Sequence, residues 1–175
     1  NNIWVVGAAN TVRRFNGLEW IPFMPAPDAP GDMEKTWTGV YANGRHVWLV
    51  GGGGHIRHFD GSQWIAENQS GVDLVSISGF GDDIWVGAKN RLLHRDPTQG
   101  KWSEVMSLPG NGESLRLLGP RQGWMLSTGG GVYRFDGVTW IPEDRGAGAY
   151  LWGIGGLPDG PTWAVGDAGT ILAKY

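Results

Sequence analysis

The tryptophans are the first candidates for ligand binding in this chain, because an indole ring has an apolar face that can contact a sugar or a peptide, and one N–H donor. The 175 residues include 11 Trp. Nine of them fall in two repeating registers, and we interpret these nine as packing residues. They are Trp4, Trp48, Trp85, Trp124 and Trp163 in the first register, and Trp20, Trp64, Trp102 and Trp140 in the second.

The other two tryptophans precede the first register. Trp37 aligns with an apolar column, so we expect it in the core; the column holds Leu74, Leu115 and Leu151. Trp152 aligns instead with the mixed set Thr38, Val75 and Arg116. We therefore predict that Trp152 and Arg116 contact a ligand, although a slip of one residue would reverse the two faces.

Histidine raises the question of a metal site. His58 and His94 align with Arg14, Arg134 and Lys174, which makes a basic column through all the repeats. Arg and Lys side chains only donate hydrogen bonds, so a position that accepts them is not a metal ligand. The column predicts a repeated hydrogen bond or ion pair, with a ring that binds an anion as the alternative. We expect no metal and no cofactor.

Carboxylates and serines give little support to catalysis. A glycosidase needs two positioned carboxylates, but Asp60, Asp96 and Asp136 lie in predicted turns. No Ser has a G-x-S-x-G setting. The glycines at 51–54 are not followed by the Lys-Ser/Thr of a phosphate-binding loop. We therefore predict that the protein is not an enzyme, with a glycan-processing enzyme as the least favoured alternative.

Composition excludes several other classes of protein. The absence of Cys excludes disulfides, thiolate zinc sites and iron–sulfur clusters. A pI near 5.8 with 14 basic residues argues against nucleic-acid binding. No apolar run approaches 18 residues, so we expect no membrane insertion. High Trp and Gly content with low charge favours an extracellular or periplasmic location.

The sequence repeat predicts the strands that position these side chains. Successive tryptophans of the first register are 44, 37, 39 and 39 residues apart, and the second Trp follows 16 or 17 residues later. Each repeat predicts four short strands: A, B with the first Trp, C, and D with the second Trp. Asn16-Gly17, Asp60-Gly61 and Asp136-Gly137 predict tight C–D hairpin turns. Four such strands in about 40 residues are typical of a β-propeller blade.

Counting strands gives three in the first and last repeats and four in each of the others, 18 in all. We predict an all-β propeller of about five blades, with both terminal blades incomplete. The repeats cover about 1–22, 34–67, 73–106, 114–143 and 149–175, in a single domain over 1–175. The count suggests part of a longer propeller, or self-association in which another copy completes the open edges.

Two families of propellers resemble this pattern. Residues 84–108, IWVGAKNRLLHRDPTQGKWSEVMSL, are similar to a kelch repeat. The segments FDGSQW and FDGVTW resemble Asp-box (BNR) sequences. The resemblance implies a propeller, and since both families host enzymes, lectins and scaffolds, it leaves the function open.

Loops are where we expect the function to lie. The D–A connections vary most, and they share one face with the B–C turns, which hold Asn10, His55, Lys89, Arg91 and Asp167. Residues 22–35 contain four Pro and predict a stiff projecting segment. We predict a non-catalytic module that recognises a protein partner through this face, as a scaffold or assembly factor. A lectin-like propeller that binds carbohydrate is the alternative.

Overall fold

A computed structural model describes residues 3–25, 35–67, 71–144 and 150–174. Within these ranges the chain forms 18 strands and no α-helix. The strands are β1 (Ile3–Val6), β2 (Val12–Phe15), β3 (Trp20–Pro22), β4 (Trp37–Asn43), β5 (His46–Gly51), β6 (Ile56–Phe59), β7 (Trp64–Ala66), β8 (Leu74–Phe80), β9 (Asp83–Ala88), β10 (Arg91–Arg95), β11 (Trp102–Ser107), β12 (Gly112–Gly119), β13 (Gln122–Ser127), β14 (Val132–Phe135), β15 (Trp140–Glu143), β16 (Leu151–Gly156), β17 (Thr162–Gly166) and β18 (Ile171–Lys174).

Five antiparallel sheets contain these strands, and each strand pairs only with its neighbours in sequence. The first and last sheets have three strands, β1–β3 and β16–β18. The other three have four strands each, β4–β7, β8–β11 and β12–β15. The predicted number of strands and the incomplete terminal sheets are therefore confirmed. No helix in the described ranges is long and apolar enough to cross a membrane.

The C–D turns explain why the hairpins form where the sequence predicts them. Asp60 Oδ1 accepts the backbone N–H groups of Ser62 (2.7 Å) and Gln63 (2.9 Å). Gly61 follows with φ +101°, a conformation that a side chain would strain. Asn16 and Asp136 accept the same two N–H bonds in the first and fourth sheets. This local turn chemistry fixes the register of strands C and D.

The chain consists of two compact units, Asn1–Val75 and Ser76–Tyr175, and the boundary between them lies inside β8. In the first unit, β1–β3 packs on β4–β7 around a core of Val12, Trp37, Val47 and Leu49. Trp37 is buried, as predicted, and its indole Nε1–H donates to Asn10 Oδ1 at 2.7 Å. The strand-A tryptophan therefore ties the second sheet to the B–C turn of the first.

The second unit contains two sheet-on-sheet cores. One lies between β8–β11 and β12–β15 and includes Trp85, Leu92, Met125, Phe135 and Trp140. The other lies between β12–β15 and β16–β18; its buried residues are Leu118, Trp124, Leu126, Val132, Leu151 and Ala164. The sheet β12–β15 therefore buries apolar side chains on both of its neighbours in this unit, as stacked sheets of a propeller do.

The register of strand A differs from the alignment of the repeats made from the sequence. The register between Trp37 and Gly51, and between Leu151 and Gly166, skips one residue, so Thr38 and Trp152 are the extra residues of two bulges. In the fourth sheet the matching bulge follows Gly112, and Arg116 lies opposite Trp124. The prediction that Arg116 shares a column with Trp152 is therefore wrong, because β12 begins three residues earlier than the alignment assumed.

Candidate functional site

The B–C turns and the D–A segments are held together at one end of the sheets in each unit, and we call this end the loop face. In the first unit the N–H of Gly52 donates to Thr36 O at 3.2 Å. In the second, Thr128 N–H donates to Asn111 O (3.0 Å) and Asp167 N–H to Tyr150 O (2.9 Å). The expectation that the two sets of loops share a face is confirmed within each unit. Of the proline-rich segment 22–35, residues 26–34 lie outside the described ranges.

An exposed aromatic pair lies on the loop face of the last sheet. Tyr150 and Trp152 are 54% and 56% exposed, and their ring centroids are 6.5 Å apart. The Trp152 indole N–H donates to Asp167 Oδ1 at 2.6 Å, so the structure brings together two of the predicted site residues. A bulge commonly re-aims a side chain, and here it accompanies the outward position of the Trp152 ring.

The carboxylate of Asp167 belongs to a short 3₁₀ turn, Asp167–Gly169, between β17 and β18. The N–H of Asp167 is held by Tyr150 O, and its side chain holds the Trp152 indole. The strand that carries the tryptophan is therefore fastened to the turn at two points. An aromatic surface fixed in this way loses little conformational entropy when a partner covers it.

The other predicted site residues lie apart from this pair or have other partners. Arg91 forms an ion pair with Glu104, 2.9 Å between Nη1 and Oε2. Lys89 is exposed in the turn between β9 and β10. Arg116 is exposed on β12, opposite Trp124 and away from the strand end that carries the bulge. His55 is half-buried and belongs to the first unit, beside Gly53, whose N–H donates to Asp73 Oδ1 at 2.8 Å.

Strand C carries the basic side chains that the repeat predicted, and three of them contact a carboxylate of their own sheet. His94 Nε2 lies 2.6 Å from Asp83 Oδ1, and His58 Nδ1 lies 3.2 Å from Glu67 Oε1. Arg134 Nε donates to Glu143 Oε1 at 2.7 Å. The interpretation as a repeated hydrogen bond or ion pair is confirmed for these three. The described residues contain no group of three or more His, Asp or Glu that could hold a metal ion.

The basic column, however, does not run through all five sheets. Trp163 lies opposite Ala173, whereas Lys174 lies opposite Thr162. The basic residue follows the strand-B tryptophan by 10 residues in the first, second and fourth repeats and by 9 in the third, whereas Lys174 follows Trp163 by 11. Including Lys174 in the column was therefore wrong. Its ammonium lies 4.9 Å from the centroid of the Trp124 ring, on the neighbouring sheet.

Turn carboxylates are held in the ionised form. Hydrogen bonds from the backbone of Gln63 and from Ser62 lower the pKa of Asp60 to about 2. Similar bonds lower the pKa of Asp96, chiefly from the Thr98 hydroxyl, and the pKa of Asp136, chiefly from the Thr139 N–H. A general acid of a glycosidase needs a raised pKa, so these three carboxylates suit turns rather than proton donation.

A cavity of about 400 Å³ lies between β8–β11 and β12–β15. Its lining includes the His94–Asp83 pair, with the imidazole stacked 4.1 Å from the Trp85 ring, and also Trp140. Asp83 is the one carboxylate among the described residues that line it. This cavity therefore supplies one of the two carboxylates that glycoside hydrolysis requires.

Sequence reasoning missed Tyr150 as part of the exposed patch. Its position is the residue directly before strand A, where Thr36 and Asp73 stand in other repeats, and no residue pattern marks it as exposed. A second feature, the cavity between β8–β11 and β12–β15, was missed because only the packing of two sheets creates it.

Comparison with known proteins shows the fold. No family model and no curated protein matches the sequence. Among solved structures, YCF48 bound to D1 peptide is 19% identical, with a TM-score of 0.73 over 99% of this chain and 60% of that one. The WD40 β-propeller domain of Doa1 is 10% identical, with a TM-score of 0.74 over 98% and 60%. The computationally designed Ika8 protein is 14% identical, with a TM-score of 0.76 over 100% and 55%.

These similarities confirm that the chain has a β-propeller repeat fold. This chain spans less than two thirds of the length of each of the three structures. The kelch and Asp-box resemblances stay predictions, and so does the single domain over 1–175.

Proposed function

We propose that this chain is a non-catalytic β-propeller module that binds a protein partner through its loop face, in a scaffold or assembly role. The observation that carries the proposal is the exposed pair Tyr150 and Trp152, fixed by Asp167. Trp and Tyr are enriched among the residues that dominate protein interfaces. One structure of similar fold is described as YCF48 bound to D1 peptide, so a propeller with this arrangement of strands has been seen with a peptide.

Carbohydrate binding is the second candidate, and the same patch favours it. An exposed indole face next to a carboxylate matches a sugar, which has an apolar face and hydroxyl donors. Two classes of ligand are thus compatible with Tyr150, Trp152 and Asp167, and one experiment can separate them.

The test uses a peptide display library and a glycan array, both probed with the same folded protein. Peptides selected on the unmodified chain are measured against Trp152→Ala and against the matched control Trp163→Ala. Trp163 is also an exposed tryptophan of the last sheet, 40% exposed, but it lies on β17. We expect Trp152→Ala to weaken the selected peptides by about 30-fold, the loss typical of an interface tryptophan.

Several outcomes would contradict the proposal. Peptides that bind Trp152→Ala as well as they bind the unmodified chain would show that this patch is not the binding site. Glycan binding that Trp152→Ala abolishes, without selectable peptides, would replace the protein partner with a sugar. Circular dichroism spectra of both variants provide the control for folding.

A further inference from the structure

The cavity between β8–β11 and β12–β15 lies within the second unit, between two sheets that each have all four strands. Its volume of about 400 Å³ falls in the range of about 300–1,000 Å³ that is typical of small-molecule sites. Strands B, C and D of one sheet line it, together with strand C, the C–D turn and the start of strand D of the other. The packing of two complete sheets therefore leaves room for a ligand.

Apolar side chains make up most of the lining. The rings of Trp85, Phe135 and Trp140 are buried and pack on one another, with centroids between 5.1 and 5.5 Å apart. Val105 and Val138 also line the cavity, and both are exposed to solvent. A ligand with an apolar or aromatic body would cover these two valines and contact the buried rings, which is favourable because apolar surface leaves water.

One polar pair interrupts this apolar lining. His94 Nε2 lies 2.6 Å from Asp83 Oδ1. Since a carboxylate only accepts hydrogen bonds, the imidazole Nε2 carries the hydrogen and donates it. The side chains of Asp83 and His94 are 33% and 25% exposed, so a ligand from solution can reach both.

The pair leaves two acceptors for a ligand. Within the part of the chain that the structure describes, Asp83 Oδ2 and His94 Nδ1 have no hydrogen-bond partner. A neutral imidazole that donates through Nε2 accepts through Nδ1, so a ligand that binds both atoms has to be a donor. Asp83 is also the one carboxylate, and no Lys or Arg is found, among the described residues of the lining. An ammonium group supplies both the donors and the complementary charge.

Sequence comparison of the repeats shows that the fold does not require a carboxylate at this position. Asp83 lies two residues before the strand-B tryptophan, and the other four repeats have Asn2, His46, Gln122 and Pro161 there. The second and fourth sheets form the same pairing of strands B and C with a histidine or a glutamine in place of the aspartate. An acid that the sheet does not need, placed beside a cavity, points to a ligand.

We propose that this cavity binds a small organic cation, an ammonium group on a short aromatic or apolar body. The ammonium donates to Asp83 and His94, and the body lies against Met106 and the aromatic rings. Aromatic walls add to the attraction, because their faces favour a cation. Asp83 begins β9 at the end opposite the B–C turn, so this site is separate from the loop face and from Trp152. Each of the two proposals can therefore fail without the other.

The probe is phenethylamine, which is protonated near neutral pH, titrated into the 175-residue chain and followed by isothermal titration calorimetry. Two compounds with the same aromatic body are the controls: 2-phenylethanol, which is neutral, and 3-phenylpropionate, which is an anion. We expect saturable binding of the amine with a Kd of about 1 mM or below. The alcohol should bind about tenfold more weakly, because it forms no charge-assisted hydrogen bond, and the anion should not bind.

Variants of the chain locate the bound amine. Asp83→Asn removes the charge but keeps an oxygen that can accept from His94, so the pair retains its hydrogen bond. Asp82→Asn is the matched control, because it removes one charge from the adjacent exposed turn, and Asp82 does not line the cavity. We expect Asp83→Asn to weaken phenethylamine by about tenfold. Asp82→Asn and Trp152→Ala should leave its Kd unchanged.

Three results would overturn the proposal: no saturable binding of phenethylamine up to about 10 mM, equal binding of the amine and the alcohol, or equal effects of Asp83→Asn and Asp82→Asn. Loss of binding in Trp152→Ala would also overturn it, because the amine would then occupy the loop face. Since the series of three compounds requires no change to the protein, a misfolded Asp83→Asn variant, recognised by circular dichroism, does not remove the test.

A lysine side chain of a partner protein carries the same ammonium group. Nα-acetyl-lysine methylamide is therefore titrated in parallel with phenethylamine. Weaker binding of the lysine compound is expected, because its alkyl chain has no aromatic ring to place against Trp85 and Trp140. Tighter binding of the lysine compound would overturn the assignment to a free amine and replace it with a protein lysine.

Discussion

Replacing Trp140 with Ala measures how much stability comes from packing one sheet on the next, if the same change at Trp20 is the reference. Both residues begin strand D and lie opposite a phenylalanine, Phe135 or Phe15. Trp140 is also covered by the preceding sheet and is 6% exposed, whereas Trp20 is 42% exposed. The two substitutions therefore remove the same contact within the sheet and differ in the contact between sheets.

The magnitude follows from the exposed fractions. A buried tryptophan covers about 200 Å², so the difference between 42% and 6% exposure corresponds to about 70 Å². At about 25 cal/mol per Å², that area is worth roughly 2 kcal/mol. Large-to-alanine changes at buried aromatic residues cost about 3–5 kcal/mol in all. We expect about 4 kcal/mol for Trp140→Ala and about 2 kcal/mol for Trp20→Ala.

Urea unfolding followed by far-UV circular dichroism gives both free energies of unfolding, provided that the slope of the transition is unchanged. Trp20 and Trp140 lie in different compact units, so the curves are fitted with one or two transitions as the data require. Trp140→Phe is the intermediate variant and keeps an aromatic ring against Trp85. An equal or larger cost for Trp20→Ala would refute the reasoning, because it would mean that the contact between sheets adds no stability.

Two further predictions concern single turns and close approaches. Asp60→Asn should keep the turn, because Asn16 forms the same turn in the first sheet. Between about pH 4 and pH 2, the melting temperature of this variant should fall less than that of the unmodified chain. The pKa of Asp60 lies near 2 in the folded chain, below its ordinary 3.8, so its stabilisation is present above pH 3.8 and disappears as the pH falls towards 2; an unchanged slope would contradict this. Gly87→Ala should cost about 1–3 kcal/mol, because its Cβ would collide with the backbone oxygen of Gly112 and lie 2.6 Å from the Ser76 hydroxyl. Gly155→Ala, whose Cβ has nothing within 4 Å, is the control in thermal unfolding, and similar losses in the two variants would show that the close approach has no cost.

The strands could be predicted from the sequence because particular residue types mark where they begin and end. Asn16, Asp60 and Asp136 mark the C–D turns through hydrogen bonds that need only the following three residues. The tryptophan registers locate strands B and D, since a half-buried pleated surface favours large aromatic side chains. Local chemistry of this kind is independent of the rest of the fold, and a single sequence can reveal it.

The candidate site was only partly predictable. Trp152 and Asp167 were each expected at a site, but their hydrogen bond depends on a bulge, and bulges leave no residue signature. Arg116 was misplaced because β12 begins three residues earlier than the alignment assumed, and Lys174 was misplaced by extra residues in the last repeat. The cavity between β8–β11 and β12–β15 depends on the packing of two sheets about 40 residues apart in sequence, which no pattern within one repeat contains.

The pairing of strands only with their sequence neighbours has a consequence for how the chain acquires its structure. All-β proteins usually fold slowly, because their ladders join segments that are distant in sequence and the closure of long loops precedes any gain. In this chain each ladder closes through a short connection, and only the stacking of one sheet on the next is non-local. During synthesis, which proceeds from the N-terminus, each sheet can therefore complete its hydrogen bonds without the following sheet.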